Sequence, residues 1–193
     1  MCYTDGSKTN TGTGCGYIIH EAKNLTDTTT NSSALPNYCT VCQAELTAIT
    51  MAANNINSSI KPNQKVHIFT DSQASINSIM DTKIRSQTSL DCHKALHNLA
   101  NSNEVNISWI PGHSGFWGNE EADKLANAGT EHDTPLNGHL PFSYIKSKIS
   151  NKIKEQHNKE WIQHGNNRSK LLATDKHIKH FNRLKRNDMR IAI

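Results

Sequence analysis

Along the first 130 residues, short runs of alternating apolar and polar positions take turns with stretches whose apolar residues recur every three or four. Gly14-Cys15-Gly16-Tyr17-Ile18-Ile19-His20 reads as a strand. The Thr-rich stretch from Asn24 to Ser33 reads as its antiparallel partner, across a turn at Glu21-Ala22-Lys23-Asn24. From Val41 to Ile56, Leu46, Ile49, Ala53 and Ile56 form the stripe of an amphipathic helix, closed by Asn54-Asn55 and the polar stretch through Pro62. Val66, Ile68 and Phe69 make a short buried strand ending at Thr70-Asp71-Ser72, and helices follow through Ile76 and Ile79 and through Leu90, Leu96 and Leu99. Val105, Ile107 and Trp109 alternate strictly, the mark of a strand, which stops at Pro111-Gly112. Asn119-Glu120-Glu121 reads as a helix start, an Asn cap with two acids in the first turn. Ala122, Leu125 and Ala126 give that helix its buried face, with Asp123 one turn in, pointing away from this stripe or along its edge. Strands that first run antiparallel and later alternate with helices predict a mixed sheet with helices packed on it.

After Gly129 the pattern changes. Thr134-Pro135-Leu136-Asn137-Gly138 and Pro141 read as a linker. Phe142, Ile145, Ile149 and Ile153 predict a helix reaching Trp161, and Ile178, Phe181 and Leu184 predict another. The division expected is therefore a domain over 1–130 and a basic helical tail or linker over 131–193, part of a longer polyprotein. Charge follows the same division. Residues 1–130 hold 8 Lys and Arg against 11 Asp and Glu, whereas residues 131–193 hold 13 against 6 and six of the eleven His. Affinity for polyanions is expected late in the chain, although a solvated helix surface has the same composition. The 193 residues, 35% hydrophobic and 20% charged, exclude collagen-like, coiled-coil and wholly disordered classes. No apolar run approaches the roughly 18–20 residues of a membrane span, so no membrane is expected among the partners. The first residues carry no signal-peptide pattern, and an odd count of five Cys fits a reducing compartment, hence an intracellular protein of cytoplasm or nucleus.

The acids carry the chemistry. Singly, Asp5 reads as a turn residue and Asp71 as a helix cap. Yet both follow hydrophobic strand residues with a Thr before each, and sites in α/β sheets gather at strand ends. Glu45 is a charge at the start of a helix whose next turns are apolar. Carboxylates drawn together repel one another, and a hard divalent cation with oxygen ligands resolves the conflict.

Tyr3-Thr4-Asp5-Gly6-Ser7, Gln43-Ala44-Glu45-Leu46 and Thr70-Asp71-Ser72-Gln73 resemble the first three catalytic segments of the type 1 ribonuclease H family. Trp109-Ile110-Pro111-Gly112-His113-Ser114-Gly115, followed by Gly118-Asn119-Glu120-Glu121-Ala122-Asp123-Lys124-Leu125-Ala126, resembles the fourth, and the likeness covers about residues 2–130. The resemblance implies an α/β fold, a mixed five-stranded sheet with helices on both faces, here with a helical C-terminal tail. It implies cleavage of the RNA strand of RNA/DNA hybrids, with Asp5, Glu45, Asp71 and Asp123 holding two Mg2+ ions, for which Mn2+ can substitute. His113, on a loop between strand and helix, would assist proton transfer or product departure. Thr40 and Asn119 become phosphate-pocket candidates on the DNA side, with Gln43 and Ser72 as further polar contacts to substrate.

Three departures qualify the resemblance. Cys42 stands where the family usually has Asn or Gln, which affects one minor-groove contact. Asp81 to Thr88 carries only Lys83 and Arg85 where cellular enzymes have a basic helix-and-loop insertion, so the chain resembles domains fused to reverse transcriptases, as in non-LTR retrotransposons. Only Cys2, Tyr3 and Thr4 lie between Met1 and Asp5, so the central strand is expected to be short and the fold only marginally stable. The rival reading is a catalytically silent hybrid-binding or tethering domain of a reverse transcriptase; a transposase or integrase core is disfavoured by Gly112-His113-Ser114-Gly115. Cys39 and Cys42 have CxxC spacing without a second pair, which is no zinc site.

Overall fold

The structure is a computed structural model and describes residues 1–21 and 24–164. The elements in chain order are β1 (Cys2–Lys8), β2 (Thr13–Glu21), β3 (Asn24–Leu35), α1 (Val41–Ser59), β4 (Lys65–Thr70), α2 (Gln73–Met80), α3 (Gln87–Ala100), β5 (Glu104–Trp109), α4 (Trp117–Gly129) and α5 (Phe142–His164). The five strands form one mixed sheet in the order β3-β2-β1-β4-β5. The first three are mutually antiparallel, while β4 runs parallel to β1 and to β5.

Strand alternation sorts the helices onto two faces. Cys2 and Tyr17 join Leu46, Ile49 and Ala53 of α1 and Cys92, Leu96 and Leu99 of α3 in the main core, with Val66 and Ile68 from β4. The opposite face of β1 meets α4: the ring of Tyr3 lies against Gly118, and Ser7 Oγ donates to Asn127 Oδ1. α4 packs across β1, β2 and β3, its Ala122 and Ala126 fully buried.

The capped starts follow sequence chemistry. Thr40 and Gln43 form a reciprocal capping box at α1, Thr40 Oγ1 accepting from Gln43 N at 3.2 Å and Gln43 Oε1 from Thr40 N at 3.1 Å. Ser72 caps α2 and Ser86 caps α3. The start of α4 differs from the sequence expectation: the helix begins at Trp117 after Phe116, which makes no side-chain cap bond, and Asn119 lies inside the first turn. Asn119 does not serve as a cap because its amide is turned onto Asp71 instead.

β1 pairs with β2 along its whole length but with β4 only at Cys2, Tyr3 and Thr4. Lys65, Val66 and His67 of β4 accordingly have ladder partners only in β5.

The chain divides into two compact units, Met1–Pro141 and Phe142–Ile193. The stretch read as a linker lies wholly within the first. Leu136 N donates to Ala34 O at 2.8 Å, Tyr38 Oη to Gly138 O at 2.9 Å and Gln43 Nε2 to His139 O at 2.9 Å, and His139 Nε2 lies 3.0 Å from Asp91 Oδ2. Of the second unit the structure describes α5, where Phe142, Ile145, Ile149 and Ile153 are exposed and Trp161 stacks on His157. The expected helix around Ile178, Phe181 and Leu184 lies outside the described residues. No helix among the described residues is long and apolar enough to cross a membrane.

Candidate active site

Thr4 is the last β1 residue paired with β4, opposite Thr70, the last residue of β4. The next residue on each strand is an acid, so the parallel register delivers Asp5 and Asp71 side by side where the sheet opens. Glu45 comes to the same place from the second turn of α1. Gly6 permits that approach: a Cβ there would stand 2.4 Å from the backbone N of Glu45. The three carboxylates offer oxygens that all lie within 4.8 Å of one another.

Burial and like charge govern their protonation. Asp5 is 7% and Glu45 4% exposed, while Asp71 is half-buried. Desolvation, followed by the charges of Asp71 and Asp123, raises Asp5 to about 7, partly offset by a hydrogen bond from the Gly6 backbone and by His113. Desolvation, then Asp5 and Asp71, raises Glu45 to about 9, against a Gly6 backbone bond and the hydroxyl of Thr70, which donates to Oε2 at 3.5 Å. A set of oxygen donors that takes up protons when bare suits a hard divalent cation, whose charge would hold the same groups ionised.

Asp123 enters from the opposite face of the sheet. It is half-buried on α4, near enough to raise Asp5, and lies outside the group of three mutually close carboxylates. Asn127 Nδ2 donates to its Oδ1 at 3.0 Å, and Ser7 bonds Asn127 in turn. His113 is exposed on the loop before α4, with φ at 51°, beside Gly115 at 79°. Such a conformation is uncommon for a side chain larger than Gly. Gly112 approaches the site closely: a Cβ there would lie 2.6 Å from Asp71 Oδ2, so the carboxylate would have to shift to admit one.

The polar candidates divide. Ser72 and Thr40 are half-buried helix caps next to Asp71 and five residues before Glu45. The Gln43 amide is occupied within the protein, by the capping box, Thr88 Oγ1 and His139 O. Asn119, 3% exposed, donates from Nδ2 to Asp71 Oδ2 at 3.2 Å. Trp117 is half-exposed, edge-on to His20 at 5.9 Å. Cys39 and Cys42 are free thiols.

Sequence reasoning missed Thr70 as a partner of Glu45, Asn127 as a partner of Asp123 and Trp109 as a partner of the Asp71 backbone, to which its Nε1 donates at 2.9 Å. Only Asn127 had a local signal, its spacing of four from Asp123 on one helix.

Sheet order, helices on both faces and an acidic cluster where β1 parts from β4 define the ribonuclease H type of α/β fold. Residues 1–131 match the family model for RNase H, and the chain belongs to the RNase H family. Among solved structures, RNase H1 from the halophilic archaeon Halobacterium salinarum NRC-1 shares this fold at a TM-score of 0.53 and 19% identity, over 66% of this chain and 94% of that chain.

Proposed function

We propose that this domain hydrolyses the RNA strand of RNA/DNA hybrids at a two-metal centre held by Asp5, Glu45, Asp71 and Asp123. The observation that carries the reading is the convergence of three carboxylates within 4.8 Å in a chain of the RNase H family. Two Mg2+ ions, or Mn2+ in their place, would supply a bound water of lowered pKa and positive charge for the leaving 3′-oxygen.

The residues of the chain do the rest by position. Asp5, Asp71 and Glu45 bind from strand ends and helix, and Asp123 completes the set from α4. His113, exposed and beside the acids, takes or delivers a proton or helps the cut strand depart. Thr40 and Ser72 offer hydroxyls to the hybrid near the cluster. The 2′-hydroxyls of the RNA strand are what separates it from the DNA strand at the point of attack.

We further infer a retroelement origin, in which the domain accompanies a reverse transcriptase and removes RNA from the newly made hybrid. The short link between α2 and α3 supports this: it carries only Lys83 and Arg85 as basic residues, and Arg85 is bonded to Asp81 at 2.9 Å. The function is tested by offering end-labelled hybrid, all-DNA duplex and all-RNA duplex in Mg2+. Cleavage confined to the hybrid is expected; cutting of all three, or of none, contradicts the reading.

A further inference from the structure

Asp71 is gripped at two points by the segment leading from β5 into α4. The indole of Trp109 donates to its backbone carbonyl at 2.9 Å, and Asn119 Nδ2 donates to its carboxylate Oδ2 at 3.2 Å. Asn119 is 3% exposed, and its Oδ1 is buried without a hydrogen-bond partner among the described residues. A buried amide oxygen left unpaired is costly, and turning the amide over would set that oxygen against a carboxylate. The bond to Asp71 is the one polar interaction the Asn119 side chain makes among the described residues. Gly112 lies against the same oxygen, 2.6 Å from where a Cβ would stand, so a larger residue there would push the carboxylate.

We propose that Asn119 is a positioning residue for Asp71: it occupies Oδ2 and fixes the carboxylate so that its free oxygen is presented toward Asp5 and Glu45. The role rests on the metal-site reading above. It couples α4, which carries Asp123, to the turn after β4, which carries Asp71, so that the acids from the two faces of the sheet are set in one geometry. Partners that orient metal ligands in this way are typically worth ten- to a hundredfold in metal affinity.

The test uses the full chain and Mn2+ alone, without nucleic acid, with free Mn2+ read by electron paramagnetic resonance. Asn119→Ala is expected to weaken Mn2+ binding about tenfold. Asn119→Ser, which returns a donor, is expected to recover part of the loss. Hybrid affinity in chelator should stay at the wild-type value in both. Melting in chelator reports folding, and if Asn119→Ala does not fold, the comparison passes to Asn119→Ser, expected between wild type and a tenfold loss. Unchanged Mn2+ affinity in the folded variants overturns the proposal and leaves a packing role. Weakened hybrid binding in chelator with intact Mn2+ affinity also overturns it and makes Asn119 a phosphate contact. A wild-type chain that binds no Mn2+ overturns the metal site itself, a result distinct from the other two.

Discussion

Glu45 concentrates the electrostatic problem of the site in one side chain. It is 4% exposed, faces Asp5 and Asp71, and its carboxyl is raised to about 9. A carboxyl raised on folding binds more protons in the folded than in the unfolded chain between its unfolded and folded values. Stability therefore falls as pH rises across that interval. With Asp5 at about 7 and Glu45 at about 9, the chelated protein is expected to lose stability from roughly pH 4 to pH 9. Added Mg2+ requires the ionised groups, so its gain in melting temperature should be larger at pH 8.5 than at pH 6. Calorimetry at the two values checks this, and equal gains contradict it. Glu45→Gln removes the proton uptake that folding imposes on this carboxyl yet leaves an acceptor for Gly6 and Thr70. It should raise the melting temperature in chelator at pH 8.5 by a few degrees while eliminating the Mg2+ response.

At the level of elements, the segment from Trp109 to Asp123 does more than connect β5 to α4. It holds Asp71 at its backbone and carboxylate and carries His113 in a left-handed conformation. His113→Ala is expected to slow turnover by about a hundredfold, in the range of a lost proton-transfer group. Hybrid affinity should be little changed, and rapid-quench kinetics would show whether the slowed step is the cut or product departure. An unaltered turnover would place His113 outside the reaction. This segment also marks the limit of what the sequence makes legible. The alternation at Val105, Ile107 and Trp109 and the stripe at Leu46, Ile49, Ala53 and Ile56 are local periodicities, and β5 and α1 follow them. Asn119-Glu120-Glu121 imitates a cap because Asn is equally suited to bond a helix N–H and a distant carboxylate. Only the fold decides between them, by bringing Asp71 within reach. Thr70 facing Glu45 is hidden for the same reason: the contact joins positions 25 residues apart.

Across the molecule, the first compact unit extends to Pro141, beyond the end of α4. Residues 136–139 bond Ala34, Tyr38, Gln43 and Asp91, tying the chain after α4 to the start of α1 and to α3. Such a strap has no periodicity, and its Pro and Gly residues read as a linker because the bonds that hold it are long-range. A chain ending at Pro141 is expected to melt several degrees higher than one ending at Thr130, each strap hydrogen bond contributing about 1 kcal/mol. Equal melting temperatures would show the strap to be incidental. Residues 142–193 bring 13 Lys and Arg against 4 Asp and Glu. Their removal should also flatten the salt dependence of hybrid affinity if they contact phosphates, and an unchanged slope denies them that role.

The acids from both faces of the sheet act as one device in this account, and Asp71 is its common member, close to Asp5 and Glu45 and bonded to α4 through Asn119. The most direct measurement is single-turnover cleavage of a labelled RNA/DNA hybrid in Mg2+ by wild type and by Asp71→Asn, with folding of both confirmed by circular dichroism. Loss of several kcal/mol of transition-state stabilisation predicts a fall of at least roughly a thousandfold in Asp71→Asn, and no wild-type cleavage in chelator. A folded Asp71→Asn that cuts at the wild-type rate would contradict it.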